Sequence, residues 1–572
     1  MNQFTQPVLL SGKPAAPGIG IGQARILKSE TTGVSPETIG PESITENLKK
    51  YEKASSFLLQ EYEMLKSSTG DRDAKDILDA QIQILQDPEL EKTIRRQIKQ
   101  ERYSMEYAVF NTFNDYIRLF QSSSVRWAND RVIDVVSIRD ELIDAAREKK
   151  KVIRVKPNEI VFAEDISPAV MVKISRTEIA GIVIERGGLT SHVVILSQSL
   201  GIPCVINARW NRYELKKGAS VIIDGIAGQV ILNPTADQKE TYRQRKGDEV
   251  LRFKKALDWV LSPNETRCGS SFTLRANVEF LEELPKVNEY MAEGIGLLRT
   301  ETILFESENF DVVKQMKFYS TLLEQTGDHP VTIRLFDAGG DKLLEDSVRE
   351  SNPFLGWRGV RMLLDKKDLL RKQLEAVYRV SALFPGRIRI LIPMVSRTEE
   401  IERVREVCDE VQRNLKKQSL QPDGKIPLGI MIEVPSAVLV ADQAAALCDF
   451  FSIGTNDLTQ YTFAVDRGNE RVSELFDSFH PAIWKLIKMT KEAADRAEIP
   501  LTICGEMASR PEAAACFVGL GITDLSMNSA SIPKVKSVLC RHTLAEMQKL
   551  AADVTATGEI QEIHKLLTKW RF

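Results

Sequence analysis

The 572-residue sequence has only seven cysteines, at 204, 268, 408, 448, 504, 516 and 540. Their number is odd and no two form a CxxC pair, which argues against a disulfide framework or a clustered zinc site and predicts a reducing compartment. There is no run of 18 apolar residues, so no bilayer-spanning helix is expected. The first residues, Met1-Asn2-Gln3-Phe4, lack the basic and apolar regions of a secretory signal. Neither sign of charge dominates: 77 basic residues face 80 acidic ones, for a net charge of −3. That balance does not suggest nucleic acid or an anionic membrane as partner. Together these absences predict a cytoplasmic protein. What is present, 43% hydrophobic and 27% charged residues, is the composition of a globular chain. At this length two to four domains are expected.

Residues 8–27 read as two short strands around a Pro-Gly turn, Ala15-Ala16-Pro17-Gly18. From about residue 42 to 150 the pattern is helical, with Leu48, Tyr51, Leu58, Leu59, Tyr62 and Leu65 at amphipathic spacing. Short apolar runs return at Glu159–Ala163, Gly181–Glu185, Pro203–Ile206, Val221–Asp224 and Val230–Leu232. The pattern predicts a small α/β domain (1–41 and 151–235) interrupted by an all-α insertion (42–150). A charged linking helix (236–261) follows. Over 262–572, eight strand-like runs alternate with amphipathic helices: Leu274–Val278, Gly294–Arg299, Val331–Phe336, Ile388–Met394, Leu428–Glu433, Phe450–Ile453, Leu501–Cys504 and Asp524–Met527. Eight such repeats predict a (β/α)8 barrel with its chemistry at the strands' C-terminal ends.

Two places carry candidate chemistry. In the small domain, Gly187-Gly188-Leu189-Thr190-Ser191-His192 follows an apolar strand and opens a predicted helix that ends before Gly201. A histidine in the first turn of a helix stands beside unpaired N–H groups that favour an anion and disfavour an imidazolium. A neutral imidazole there suits a phosphoryl-accepting nucleophile, whereas a lone histidine is more commonly structural. At the barrel strand ends, Arg299, Arg334, Lys342, Arg358 and Arg467 supply cations for a multiply anionic ligand. Glu433 and Asp457 are carboxylates from different strand ends, a donor set that points to Mg²⁺. Cys504 ends an apolar strand and reads equally as a buried thiol or as an acid facing the cavity.

With these residues in view, the sequence closely resembles the phosphoenolpyruvate–protein phosphotransferase family, Enzyme I of the bacterial sugar phosphotransferase system. The likeness runs from Ala16-Pro17-Gly18-Ile19 nearly to the C-terminus. It rests on the histidine motif, Gly-Leu-Leu-Arg299-Thr-Glu, Asp337-Ala-Gly-Gly-Asp-Lys342, Asn352-Pro-Phe-Leu-Gly-Trp-Arg358, and the stretch Ser452–Asn469. The resemblance implies that His192 accepts the phosphoryl group of phosphoenolpyruvate and hands it to the phosphocarrier protein HPr, which docks on the helical insertion. It implies that Arg299, Arg334, Lys342, Arg358, Asn456, Asp457 and Arg467 hold phosphoenolpyruvate. Glu433 and Asp457 would bind Mg²⁺, and Cys504 would protonate the enolate to give pyruvate. Members of the family usually dimerise through the barrel.

The sequence departs from the family pattern at several positions. Leu189 and Gln198 stand where arginines are usual near the histidine. Asp79-Ala80-Gln81 lacks the usual histidine of the insertion, and Glu279 stands where glycine is usual after the first barrel strand. Ser167-Pro168 keeps the expected hydroxyl. Two other readings compete. A pyruvate-phosphate-dikinase or phosphoenolpyruvate-synthase relative would need a further ATP-binding domain, for which no stretch is left over. A regulator that binds HPr without catalysis is the other.

Overall fold

The computed structural model describes the chain except residues 1–6, 28–33, 69–71, 123–125, 148–154, 165, 167–169, 172–173, 175–176, 186–191, 200, 214, 302, 304–309, 338, 340–351, 353, 421–425, 467–471 and 473–474. The chain forms two compact units, Met1–Glu249 and Val250–Phe572.

The first unit is built on an eight-stranded sheet. Its strands are β1 (Val8–Ser11), β2 (Lys13–Ala16), β3 (Ile19–Leu27), β4 (Glu159–Ala163), β5 (Gly181–Ile184), β6 (Cys204–Ile206), β7 (Ser220–Asp224) and β8 (Gln229–Leu232). Their order is β1-β8-β7-β3-β4-β5-β6-β2. The central strands β3 to β6 run parallel, with antiparallel pairs on both flanks. Continuous apolar runs are what a doubly covered parallel strand requires. In β4, Val161 and Ala163 join the core that includes the inserted helices, while Ile160 and Phe162 join a second core with Trp210. The β7–β8 hairpin closes where Asp224 accepts hydrogen bonds from the N–H groups of Ile226 and Ala227 at 3.1 and 2.9 Å. The buried Asp224 is also paired with Arg245 at 2.9 Å, on the helix Ala236–Leu257.

Between β3 and β4 lie five helices: α1 (Ile44–Ser68), α2 (Arg72–Leu85), α3 (Pro88–Lys99), α4 (Met105–Ser122) and α5 (Arg126–Ala146). Tyr51, Leu58, Tyr62 and Leu65 are buried as their spacing predicts, whereas Leu48 and Leu59 are only half-buried. Asp87 caps α3 by accepting from the N–H groups of Glu89 and Leu90, and Pro88 occupies the first helical position, where no donor is needed.

The second unit contains a closed barrel of eight parallel strands: β9 (Thr273–Val278), β10 (Ile295–Leu298), β11 (Val331–Arg334), β12 (Ile388–Ile392), β13 (Leu428–Ile432), β14 (Phe450–Ile453), β15 (Leu501–Ile503) and β16 (Asp524–Asn528). The barrel predicted from alternation is therefore present; six of the predicted runs contain their strands, while β9 begins one residue earlier and β16 ends one residue later than predicted. In β9, Leu274, Ala276 and Val278 belong to the large outer core, which leaves Arg275 and Asn277 on the inner side. Leu297, Leu391, Met431, Phe450 and Cys504 form a separate buried cluster from alternate positions of neighbouring strands. Gly429 is required by that filling, since a Cβ there would lie 2.5 Å from the Phe450 ring.

Among the described residues no helix is long and apolar enough to cross a membrane. All seven cysteines are free thiols.

Candidate active site

Inward alternation carries charged side chains to the C-terminal end of the barrel, beyond the apolar plug. Arg334 ends β11, and its guanidinium pairs with Glu301 at 2.8 Å and Asp337 at 3.3 Å. Arg358 grips Asp337 with two bonds, Nε to Oδ1 at 3.0 Å and Nη2 to Oδ2 at 2.7 Å. Its Nη2 also lies 3.3 Å from Asp457, and its Nη1 donates to Tyr461 Oη at 3.1 Å. Tyr461 in turn donates to the Phe354 carbonyl at 2.6 Å, so the ring and the Arg358 loop hold each other. Gly359 follows with φ +58°, and a Cβ there would sit 2.7 Å from Met394. The loop bearing Arg358 thus needs glycine at this position on two counts.

The electrostatics follow from burial. Asp337 is desolvated, which alone would raise its pKa, but Arg358 and Arg334 hold it below the ordinary carboxylate range. Glu433, one residue past β13, is 2% exposed. Its Oε1 accepts the Met394 N–H at 2.6 Å. Burial, reinforced by the carboxylates of Asp457 and Asp337, pushes Glu433 up to about 8 despite Arg334 and Arg358. Glu433 and Asp457 are hard oxygen donors, and no group of three acidic, histidine or cysteine side chains forms a metal cage among the described residues. Two carboxylates, with the remaining positions supplied by ligand oxygens and water, are the donor set that a small divalent cation such as Mg²⁺ prefers.

Cys504 immediately follows β15 and is buried in the plug. Burial pushes its thiol up to about 11, against the opposing effect of a hydrogen bond with Ser452. Its carbonyl accepts from Asn277 Nδ2 at 2.9 Å, and Asn277 accepts from Ser526 Oγ at 2.6 Å. The first and last barrel strands therefore hold the backbone of the thiol. Asn456 and Glu506 bind each other reciprocally, side chain to side chain at 2.9 Å and N–H to Oδ1 at 3.0 Å. Beneath Arg334, Gln373 receives the Phe336 N–H at 3.0 Å and donates to Thr300 at 3.2 Å. Sequence reading passed over Asn277, Ser526 and Gln373. The inward parity of β9 and β16 marks the first two, whereas nothing in its own helix marks Gln373.

Of the residues named from sequence, Arg299, Arg334, Arg358, Glu433, Asn456, Asp457 and Cys504 stand at or just past the C-terminal ends of barrel strands or on the loops that follow them. Lys342 and Arg467 lie outside the described residues, as do Leu189, Ser167 and Pro168. His192 begins the helix His192–Ser199, which follows β5 and ends before Gly201 at φ +66°. Its side chain, like that of Gln198, lies outside the described set. Val193, Val194 and Leu196 bury that helix against the sheet.

The barrel with its charged mouth and the two-faced sheet with its glycine-led helix define a phosphoenolpyruvate-utilising enzyme. Three family descriptions match in succession: "PEP-utilising enzyme, N-terminal" over residues 11–130, "PEP-utilising enzyme, mobile domain" over 155–228, and "PEP-utilising enzyme, PEP-binding domain" over 254–544. The chain is 33% identical over 568 residues to the phosphoenolpyruvate-protein phosphotransferase of Borreliella burgdorferi, covering 97% of this chain and 98% of that one. It is 32% identical over 580 residues to the enzyme of the same name from Listeria monocytogenes, covering 98% and 99%. The chain belongs to the phosphoenolpyruvate-protein phosphotransferase family and is an enzyme.

Proposed function

We propose that this enzyme transfers the phosphoryl group of phosphoenolpyruvate to His192 and then to HPr, releasing pyruvate as the first step of sugar uptake. The observation that carries the reading is the mouth of the barrel, where Arg334, Arg358, Glu433, Asp457 and Cys504 come from four strands, β11, β13, β14 and β15, or the segments that follow them. Arg299, Arg334, Arg358 and Asn456, with Lys342 and Arg467, bind and orient the substrate anion, a task for which paired guanidinium donors are suited. Glu433 and Asp457 hold Mg²⁺, which when bound neutralises charge on phosphate oxygens.

An imidazole nitrogen of His192 attacks phosphorus, and the phosphorus–oxygen bond to the enolate breaks. Cys504 donates its S–H proton to carbon 3 of the enolate, giving pyruvate, and the thiolate regains a proton from water. A thiol pushed up to about 11 keeps that proton at neutral pH. The plug of Leu297, Leu391, Met431 and Phe450 keeps water from below Cys504. HPr docks on the inserted helices. The enzyme works in the cytoplasm as a dimer joined through its barrels.

The deciding experiment uses radiolabelled phosphoenolpyruvate with Mg²⁺. Wild-type protein takes up an acid-labile, base-stable label and His192→Ala does not. Equal labelling of the variant, or a requirement for ATP in place of phosphoenolpyruvate, refutes the assignment.

A further inference from the structure

Arg299 already has an anionic partner. Its Nη1 lies 3.5 Å from Oε2 of Glu279. Glu279 stands one residue beyond β9, and the alternation that turns Arg275 and Asn277 inward carries it to the same mouth. Its position is fixed from behind. Glu283 Oε2 accepts the N–H groups of both Glu279 and Phe280, at 2.7 and 3.0 Å, and so locks the turn. The charged groups acting on the Glu279 carboxyl are Arg299 and Glu301 past β10, Glu283 on its own turn, and Arg334 of β11.

This pair differs from the others in the mouth. Asp337 and Arg358 have side chains only 1% and 12% exposed, and each needs the other as counterion. Arg299 and Glu279 are 43% and 34% exposed, so water can solvate both when they part. The fold therefore has little need of the pair, whereas an anionic ligand must contend with it.

We propose that Glu279 sets the affinity of the mouth for its substrate, its carboxylate competing with the ligand's anionic oxygens for the guanidinium of Arg299. This rests on the reading of the mouth as the phosphoenolpyruvate site. When the ligand takes Arg299, Glu279 loses that guanidinium while Glu301, Glu283 and Arg334 continue to act on it. A neutral residue at 279 removes that opposition.

The test is steady-state phosphorylation by phosphoenolpyruvate in wild type, Glu279→Gln and Glu279→Gly, each also in an Arg299→Gln background. Removing one like charge beside a multiply charged ligand in a partly solvated site is expected to lower KM roughly three- to tenfold. The effect is carried by KM rather than kcat, and it shrinks at high salt and in the Arg299→Gln background. Calorimetry with inorganic phosphate gives a readout independent of turnover, and the Glu279 variants bind it more tightly than wild type. An unchanged KM overturns the inference. A raised KM overturns it too, since Glu279 would then position Arg299 for the ligand. Wild-type protein that does not turn over phosphoenolpyruvate defeats the proposed function instead, and the phosphate titration then still decides the competition.

Discussion

Asp337 takes both arms of the Arg358 guanidinium, at 3.0 and 2.7 Å, and the same Nη2 reaches Asp457 at 3.3 Å. A loop residue is thereby tied to the ends of two barrel strands, and a carboxylate expected to bind a cation is tied to an arginine expected to bind the substrate. Asp337 also faces Arg334. One buried acid thus balances two buried guanidiniums.

Removing that acid takes from two desolvated cations the counterion they share, leaving Glu301, Asp457 and Glu433 among the described residues to oppose them. Asp337→Ala is expected to destabilise the protein by about 3–5 kcal/mol. Lys92→Ala, which breaks the exposed pair with Glu89, is expected to cost far less. Urea unfolding followed by circular dichroism compares the two, and equal losses would show that the buried network carries no special stability.

The pH response of Cys504 is set by the direction of its shift. An ordinary thiol, at about 8.5, is mostly ionised by pH 9.5, but burial pushes this one up to about 11. Proton donation to the enolate is therefore expected to persist through pH 9.5 and to fail only toward 11. The sign for stability is the reverse of the usual carboxylate case. The unfolded thiol ionises first, so the contribution of Cys504 is present below about 8.5 and is lost as pH rises toward 11. Cys504→Ala should lower pyruvate formation about 10²–10⁴-fold while His192 still accepts phosphate from phospho-HPr. Pyruvate release near the wild-type rate would return Cys504 to a packing role.

Chelation tests the paired carboxylates. EDTA should abolish transfer from phosphoenolpyruvate and added Mg²⁺ restore it. Glu433→Gln should raise the Mg²⁺ concentration needed for half-maximal rate by about tenfold or more, on the scale of a lost charged contact of about 1.4 kcal/mol or greater. An unchanged Mg²⁺ requirement would remove Glu433 from the metal site.

The first unit supplies a separate test. A fragment spanning residues 1–260 keeps the helix Ala236–Leu257 whole and is expected to accept phosphate from phospho-HPr but not from phosphoenolpyruvate. Acidic side chains on the insertion, such as Asp79, Glu89 and Glu91, would steer a basic partner if they carried a net field. In the structure Asp79 pairs with Lys66, Glu89 with Lys92 and Glu91 with Arg95. With these three acids matched locally, salt should slow this transfer only a few-fold. A steep salt dependence would show that the ion pairs leave a net field.

How much was legible in advance depended on the range of the interaction. Strands β9 to β16 were readable because each is a short apolar run flanked by turns or helical periodicity. Arg299, Arg334 and Glu433 were readable as site candidates because several charges following apolar strands of one barrel exceed what packing requires, whereas Cys504 read equally as a packed thiol. The change of period near residues 42 and 150 brackets a stretch in which α1 to α5 run from Ile44 to Ala146, while residue 150 itself lies outside the described residues. By contrast, Leu48 and Leu59 share the helical spacing of buried residues yet remain half-exposed, since the depth of burial depends on which neighbour covers each turn.

The sequence by itself determined the division into sheet, insertion and barrel, and it put Arg299, Arg334, Glu433 and Cys504 at the C-terminal ends of barrel strands, because periodicity and alternation are properties of a single segment. Only the tertiary structure decided which of those charges hold one another. That Arg358 belongs to Asp337, that Gln373 supports Phe336 and Thr300 from another helix, and that Glu279 opposes Arg299 are pairings between segments 20 to 73 residues apart in the chain. Such pairings depend on strand register and loop path, and through them burial converts an ordinary carboxylate or thiol into one with altered chemistry.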